Sequence, residues 1–282
     1  MFEFNLNQVA LCAPDGVTET GEPDGLPEDL YDVIGSTGDQ FRDWFTRLCL
    51  YLVRTCGELP EGRTDETVVI GTEYGNTAAL ARLQRDAAAK GRLLSAQYFP
   101  NATSSSAAAF VNLTIGATGR NMTLNGGLLT PVTAMWQALS ALDRDRSGIS
   151  RLLVGDVYSP EGLQDAEHDT PGLACDSGVA HATLAKGRDF KAEFDFSAPA
   201  SDEVGTPAGA HIRVTGVGGA ATEATAAATS YGRNGAFVTA DFLRAAYALR
   251  PAESAVLTCL SPLGRRATVT VTRQKGTTRG HG

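Results

Sequence analysis

The sequence predicts an α/β protein in which helices alternate with the strands of a buried sheet, and three observations carry that expectation. Short runs with no polar alternation, Thr67 to Gly71 and Arg151 to Val157, read as fully buried strands. Around them apolar residues recur at helical spacing, and glycines mark the corners where strand passes to helix. The 282 residues are 43% hydrophobic, ample for the core of one large domain or of two fused halves.

In order, the chain opens with a short strand at Gln8 to Cys12, and residues 13–39, rich in Gly, Pro and acid, read as a loop or arm. From Asp39 to Glu58 the residues Phe41, Trp44, Phe45, Leu48, Leu52 and Cys56 share a helical face, so the aromatic stripe is expected in the core. A helix Asn76 to Lys90, ending at Gly91, follows the strand Thr67 to Gly71. Phe99 to Val157 then reads as one continuous unit. It comprises a small-residue helix Ser104 to Ile115, a turn at Gly116 and Gly119, a strand Asn121 to Leu124 and a tight Gly126-Gly127 corner, followed by a helix Pro131 to Leu142 and the strand Arg151 to Val157. Tyr158 to Pro171 reads as a polar loop, and Asp195 to Gly209 as an exposed linker that divides residues 1–195 from residues 210–276. The second segment holds a strand Ala210 to Val217, a helix Ala236 to Leu249, and a hairpin of Ala255 to Leu260 with Ala267 to Thr272.

Charge and cysteine usage narrow the function classes. A net charge of −8 argues against a nucleic-acid or anionic-membrane surface, which needs clustered Lys and Arg. No apolar stretch reaches spanning length and Met1-Phe2-Glu3 is no cationic leader, so a cytoplasmic protein is expected. Cys12, Cys49, Cys56, Cys175 and Cys259 show no CxxC spacing and read as reduced core thiols. Glu161, Asp165, Glu167, His168 and Asp169 form an acidic group with a single His, for which no metal is expected. His181 alternates with Val179 and Thr183 and reads as a structural histidine.

The Gly126-Gly127 corner is the chemical centre of the sequence. A strand-to-helix elbow aims its turn residue at a helix N-terminus, where N–H groups and the helix dipole stabilise an anion. Nucleophiles sit at such corners. Here Asn125, Gly126, Gly127 and Leu128 offer no thiol or hydroxyl, so the elbow reads as degenerate.

Phe99-Pro100-Asn101, the Ala-rich helix ending in Gly116-x-x-Gly119, the Thr123-Leu124 strand and the elbow together resemble the N-terminal half of a β-ketoacyl synthase. Val68-Val69-Ile70-Gly71 with Tyr74-Gly75-Asn76, and Ser177-Gly178-Val179-Ala180 before Thr183-Leu184, are similar to flanking segments of the same family. The resemblance covers roughly half of the chain and leaves no single motif intact. It implies a thiolase-like (condensing-enzyme) layered αβαβα fold with an abbreviated C-terminal half.

Counted from Gly119, the family's condensing Cys falls on Leu128, which cannot form an acyl thioester. The catalytic histidines and the Phe- and Gly-rich gate loop have no counterpart either: His211 and His281 sit in no such motif, and Leu260 to Arg266 keeps only the loop's length. The resemblance is therefore to the Cys-lacking chain-length factors. It implies a non-catalytic subunit with no cofactor, partnered by a catalytic ketosynthase and an acyl carrier protein. It further implies an interface at Ser105, Ala108, Phe110, Asn121, Met122 and Thr123, with Leu113 as a further apolar anchor, and a carrier or phosphopantetheine contact at Arg265 and Arg266. Two alternatives remain: an acyl-transferring enzyme of the same fold that uses Cys175, and an oxidoreductase built on Gly216-x-Gly218-x-x-Ala221 with Asp241 as the ribose acid.

Overall fold

The structure is a computed structural model that describes residues 1–17, 22–57, 59–93, 96–144, 147–197, 208–216 and 231–275. In chain order its elements are β1 (Phe2–Cys12), a small ribbon of β2 (Gly16–Val17) and β3 (Pro23–Asp24), α1 (Leu30–Ile34), α2 (Trp44–Thr55), β4 (Thr67–Gly71), α3 (Thr77–Lys90), α4 (Ser106–Ile115), β5 (Asn121–Leu124) and α5 (Thr130–Arg144). There follow β6 (Ile149–Asp156), α6 (Pro160–Asp169), β7 (Gly178–Asp195), β8 (Gly209–Thr215), α7 (Gly235–Tyr247), β9 (Ser254–Leu260) and β10 (Arg266–Arg273). Among the described residues no helix is long and apolar enough to cross a membrane.

One mixed sheet runs β5-β4-β6-β7-β10-β9-β8, with β1 antiparallel to β7 off this path. Strands β4, β5 and β6 are parallel, and β7 turns antiparallel to β6. The length of β7, 18 residues, is what joins the two regions. Its first half pairs with β6 and its last residues with β10.

The sheet curls. The short turn that ends β5 packs against β9, although the two strands lie near opposite ends of the strand order, and α5 touches β4 and β6 on one side and β9 and β10 on the other. Helices α5 and α7 are thereby enclosed in one core, where Met135, Leu139, Phe242 and Leu243 meet Leu152 of β6 and Val269 of β10. Each such side chain contributes about 1.5–3 kcal/mol by burial. On the far face of β4 and β6, α2 and α4 bury Leu48, Val53, Val111 and Ile115 against Val68 and Leu153. Gly71 permits close approach of α5: a Cβ there would sit 2.6 Å from Thr130 Cγ2 and 3.0 Å from Ala134 Cβ.

The layers are thus helix, sheet, helix, sheet. Among the described residues no helix packs on the outer face of β8, β9 and β10, which carries Thr268, Thr270 and Thr272 at alternate, half-buried positions. That is where the thiolase-like layering is abbreviated. The segments before and after the expected linker share this sheet and its core.

Three local expectations are corrected. Strand β1 begins at Phe2 rather than Gln8, because Phe2, Phe4 and Leu6 alternate with Glu3 and Asn5. Tyr158 to Pro171 is not a loop. It holds α6, started by Ser159, whose hydroxyl accepts from Gly162 N–H at 3.1 Å, and by Pro160 in the first turn. The aromatic stripe also divides: Phe45, Leu48 and Leu52 are buried in α2, whereas Phe41 lies in a separate 3-10 turn and, with Trp44, is only half-buried.

Candidate functional site

The parallel strands β4, β5 and β6 all end on one edge of the sheet, the edge where open α/β sheets bind ligands. There β5 passes through Asn125 and Gly126 into the 3-10 turn Gly127–Leu129 and then α5. Thr130 Oγ1 accepts from Gly126 N–H at 2.9 Å, and Gly126 O accepts from Leu129 N–H at 3.1 Å. Gly127 takes the left-handed φ of +55°, which favours glycine. The elbow read from the sequence therefore exists as backbone. At its centre Leu128 is 7% exposed, an apolar side chain turned into the protein.

Next to this corner stands a carboxylate. Glu73 Oε1 lies 3.8 Å from where a Cβ on Gly127 would sit. It accepts from Arg233 Nη2 at 3.0 Å, and desolvation raises its pKa above the usual glutamate value while Arg233 pulls it back. An acyl-transfer elbow needs hydrogen-bond donors where an oxyanion develops, and a neighbouring carboxylate opposes that charge.

Glu73 belongs to a buried polar cluster that ties the loops of this edge together. The Arg233 side chain, 2% exposed, also bonds Asp169 Oδ2 at 2.9 Å, Tyr74 Oη at 3.0 Å and Thr170 Oγ1. Tyr74 donates in turn to Asp165 Oδ2 at 3.1 Å. Beneath them Asp156 Oδ1 accepts from Thr72 Oγ1 at 2.7 Å, Glu73 N–H at 2.8 Å and Tyr74 N–H at 2.6 Å, yet burial prevails and pushes Asp156 up to about 6. Asn234 Nδ2 donates to the carbonyls of Asp156, Asp176 and Gly178, and its Oδ1 caps α7 at Ala236 N–H, 2.9 Å away. The acidic stretch expected to be a solvated loop thus supplies counter-charges: Asp169 to Arg233, and Glu161 to Arg85. Among the described residues no group of three or more His, Cys, Asp or Glu is placed to hold a metal ion.

Arg233 and Glu73 are not legible as a site in the sequence, because they stand far apart in the chain and meet only in the fold. The available signals are the Asn234 cap before an apolar helix and the Ser159-Pro160 cap.

The other expected residues fall as follows. Cys175 is half-buried, donates to Leu173 O at 3.5 Å, and has its pKa raised by desolvation, an environment unlike that of an activated thiolate. His181 is buried, lowered to about 3 by desolvation, and neither ring nitrogen has a hydrogen-bond partner. His168 is exposed on α6 and His211 on β8, and His281 lies outside the described residues. Gly218 and Ala221 also lie outside them. The strand before that motif, β8, is an antiparallel strand at the sheet's end rather than the parallel strand of a dinucleotide unit, and Asp241 accepts from Tyr231 Oη at 3.1 Å.

At the other end of the sheet order, β5 pairs among the described residues with β4 alone, on one of its two edges. Asn121 and Ser105 are exposed there, Met122, Thr123 and Phe110 half-buried, and Ala108 fully buried inside the chain. On α4, Leu113 is 78% exposed. Arg265 and Arg266 stand where the turn after β9 enters β10. Arg265 is exposed, whereas Arg266 Nη2 donates to Asp195 Oδ2 at 3.0 Å and Ser197 Oγ at 2.9 Å.

No family model and no curated protein matches the chain. Solved structures do. The ishigamide ketosynthase/chain length factor superposes with a TM-score of 0.65 at 16% identity, covering 89% of this chain and 86% of that one. The chain has the thiolase-like fold of the ketosynthases. The same ketosynthase fold appears in the complex of the ketosynthase ApeO with its chain length factor ApeC from Xenorhabdus doucetiae, at TM-score 0.55 and 10% identity over 97% of this chain and 100% of that one. It appears again in AntDE:AntF, a type II PKS acyl-carrier protein in complex with its ketosynthase, at TM-score 0.62 and 10% identity over 96% and 99%.

Proposed function

We propose that the chain is a non-catalytic ketosynthase-like subunit that pairs with an active ketosynthase and helps shape the acyl channel, and so chain length, in bacterial type II polyketide or fatty-acid synthesis. The observation that carries this reading is the elbow: its backbone is built, Leu128 fills the nucleophile position, and the Glu73 carboxylate stands beside it. Loss of the nucleophile together with an opposing charge removes acyl transfer and leaves an apolar-lined corner.

The pairing rests on the second edge of β5 and on Leu113 beside it. A strand edge with unpaired N–H and C=O groups invites a partner strand, and a two-fold contact can be kept when one protomer becomes a scaffold. The structural neighbours include a ketosynthase with its chain length factor and a ketosynthase with its carrier protein, which supports those two partners for this chain. Since β9 packs against the elbow, Arg265 in the turn that follows β9 is the side chain assigned to the carrier's acidic surface or phosphopantetheine phosphate.

Co-expression with the ketosynthase encoded nearest to this chain tests the pairing. The wild type is expected to co-purify, and Leu113→Asp with Thr123→Arg to abolish co-purification while the far-UV spectrum stays unchanged. A wild-type monomer in the presence of that synthase, an acyl thioester on this chain by mass spectrometry, or undiminished co-purification of the double variant would overturn the reading.

A further inference from the structure

Neither the elbow nor the cluster around Arg233 lines the cleft of about 190 Å³ that opens between the Gln40–Arg47 stretch and the face of α3 bearing Ala79 and Leu83. Its polar wall is built rather than loose. Arg47 is 13% exposed, lies 4.1 Å over the Trp44 ring, and is gripped by Asp39 through Nε at 2.9 Å and Nη2 at 2.7 Å. These contacts fix the guanidinium plane and leave Nη1 without a bond among the described residues. Arg42 donates to three neutral acceptors, the carbonyls of Ile34, Gly35 and Thr37, so no bonded carboxylate offsets its charge. The two carboxylates of the wall are committed: Asp43 caps α2 through Thr46 N–H at 2.7 Å, and Asp86 bonds Lys90 at 2.9 Å.

Arg42, Arg47 and Arg82 line the cleft together with Asp43 and Asp86, and Asp39 holds Arg47 from behind, so it is the orientation of the Arg47 edge rather than an excess of charge that marks the wall. The apolar wall is Phe41, Trp44, Ala79 and Leu83. A fixed guanidinium edge beside aromatic and aliphatic surface recognises a carboxylate carried on a flat apolar body. The volume is below the roughly 300–1,000 Å³ of sites for drug-sized ligands, which limits the occupant to a small molecule.

We propose that this cleft binds a small aromatic carboxylate, its carboxylate on Arg47 Nη1 within the field of Arg42 and its ring against Trp44, Phe41 and Leu83. The site is independent of the pairing with a ketosynthase and stands or falls separately.

Benzoate is the probe and benzyl alcohol its neutral counterpart, each titrated into the full chain by calorimetry and by Trp fluorescence. Benzoate is expected to bind saturably with a Kd of about 1 mM or tighter, and benzyl alcohol at least about tenfold more weakly. Arg47→Met should weaken benzoate by about tenfold, and Ala79→Phe, which fills the cleft from α3, should remove binding with the melting temperature retained. Absence of saturable benzoate binding, equal affinity for the alcohol, or wild-type affinity in either folded variant overturns the proposal. The comparison of benzoate with benzyl alcohol on the wild type decides the matter even if neither variant folds.

Discussion

Arg233→Met should unfold the elbow edge of the molecule before anything else, and the size of the effect follows from the bonds its guanidinium makes. That group is 2% exposed and bonds Glu73, Asp169, Tyr74 and Thr170. Removing one partner of a buried ion pair costs about 3–5 kcal/mol, chiefly by leaving the other charge uncompensated. The lower end applies, because Glu73 is 22% and Asp169 61% exposed and both can regain water. An unfolding entropy of about 2.1 cal/mol/K per residue over the whole chain turns about 3 kcal/mol into a fall of about 5 °C in Tm. The destabilisation has a pH signature. Burial already holds the Glu73 carboxyl above its usual range, and without Arg233 it rises further, so the destabilisation should be largest at high pH and shrink as falling pH neutralises the carboxyl. Thermal melts of Arg233→Met, Glu73→Gln and the double variant at several pH values form the assay, with the double variant recovering part of the stability. A Tm change under about 1 °C, or a full-size drop that ignores both pH and Glu73→Gln, would refute the assignment of Arg233 as the charge that ties this edge together.

Three further outcomes follow from the same geometry. Asp43 and Asp156 are pushed up to about 6 by burial, above the roughly 3.9 of an unfolded aspartate, so the folded state binds more protons in this window. Stability should therefore rise by about 1 kcal/mol per group as pH drops from 7 to 5 and be lost as pH climbs through 6, and Asp156→Asn should flatten its share in urea titrations. Leu128→Cys should give a thiol with a pKa above the ordinary 8.5 or so, because position 128 is buried and the Glu73 carboxylate stands by the adjacent Gly127; site-resolved alkylation against pH measures this, and the variant should not condense acyl and malonyl thioesters. Gly71→Val, which collides with Thr130 and Ala134, should cost about 2 kcal/mol or more by pushing α5 off the sheet, read from the denaturation midpoint.

Much of the fold is written locally. The strand Thr67–Gly71 is legible because burial on both faces leaves a run without polar alternation, and the helix over Ser106–Ile115, the strand Asn121–Leu124 and the corner before α5 because glycines mark their ends and a left-handed turn calls for glycine. That Leu128 carries no thiol or hydroxyl needs no structure either, since side-chain chemistry is a property of the residue itself. Less of the site is visible. The acidic stretch before Pro171 looks solvated because composition reports charge and not its partner, and it becomes the counter-charge of Arg233 and Arg85 only once α6 lies beside α3 and the loop after β4. Phe41 looks like core because the helical period extends back past Asp43, where the helix starts.

What the sequence determined by itself, then, was the order of most elements and the glycine corner, both governed by interactions within a few residues. The curling of one sheet around α5 and α7, the carboxylate placed at the elbow and the buried Arg233 were decided by tertiary structure. Those features depend on contacts such as Arg233 with Glu73 and β9 with the turn after β5, between residues far apart in the chain, and no local pattern encodes which distant charge or strand will arrive.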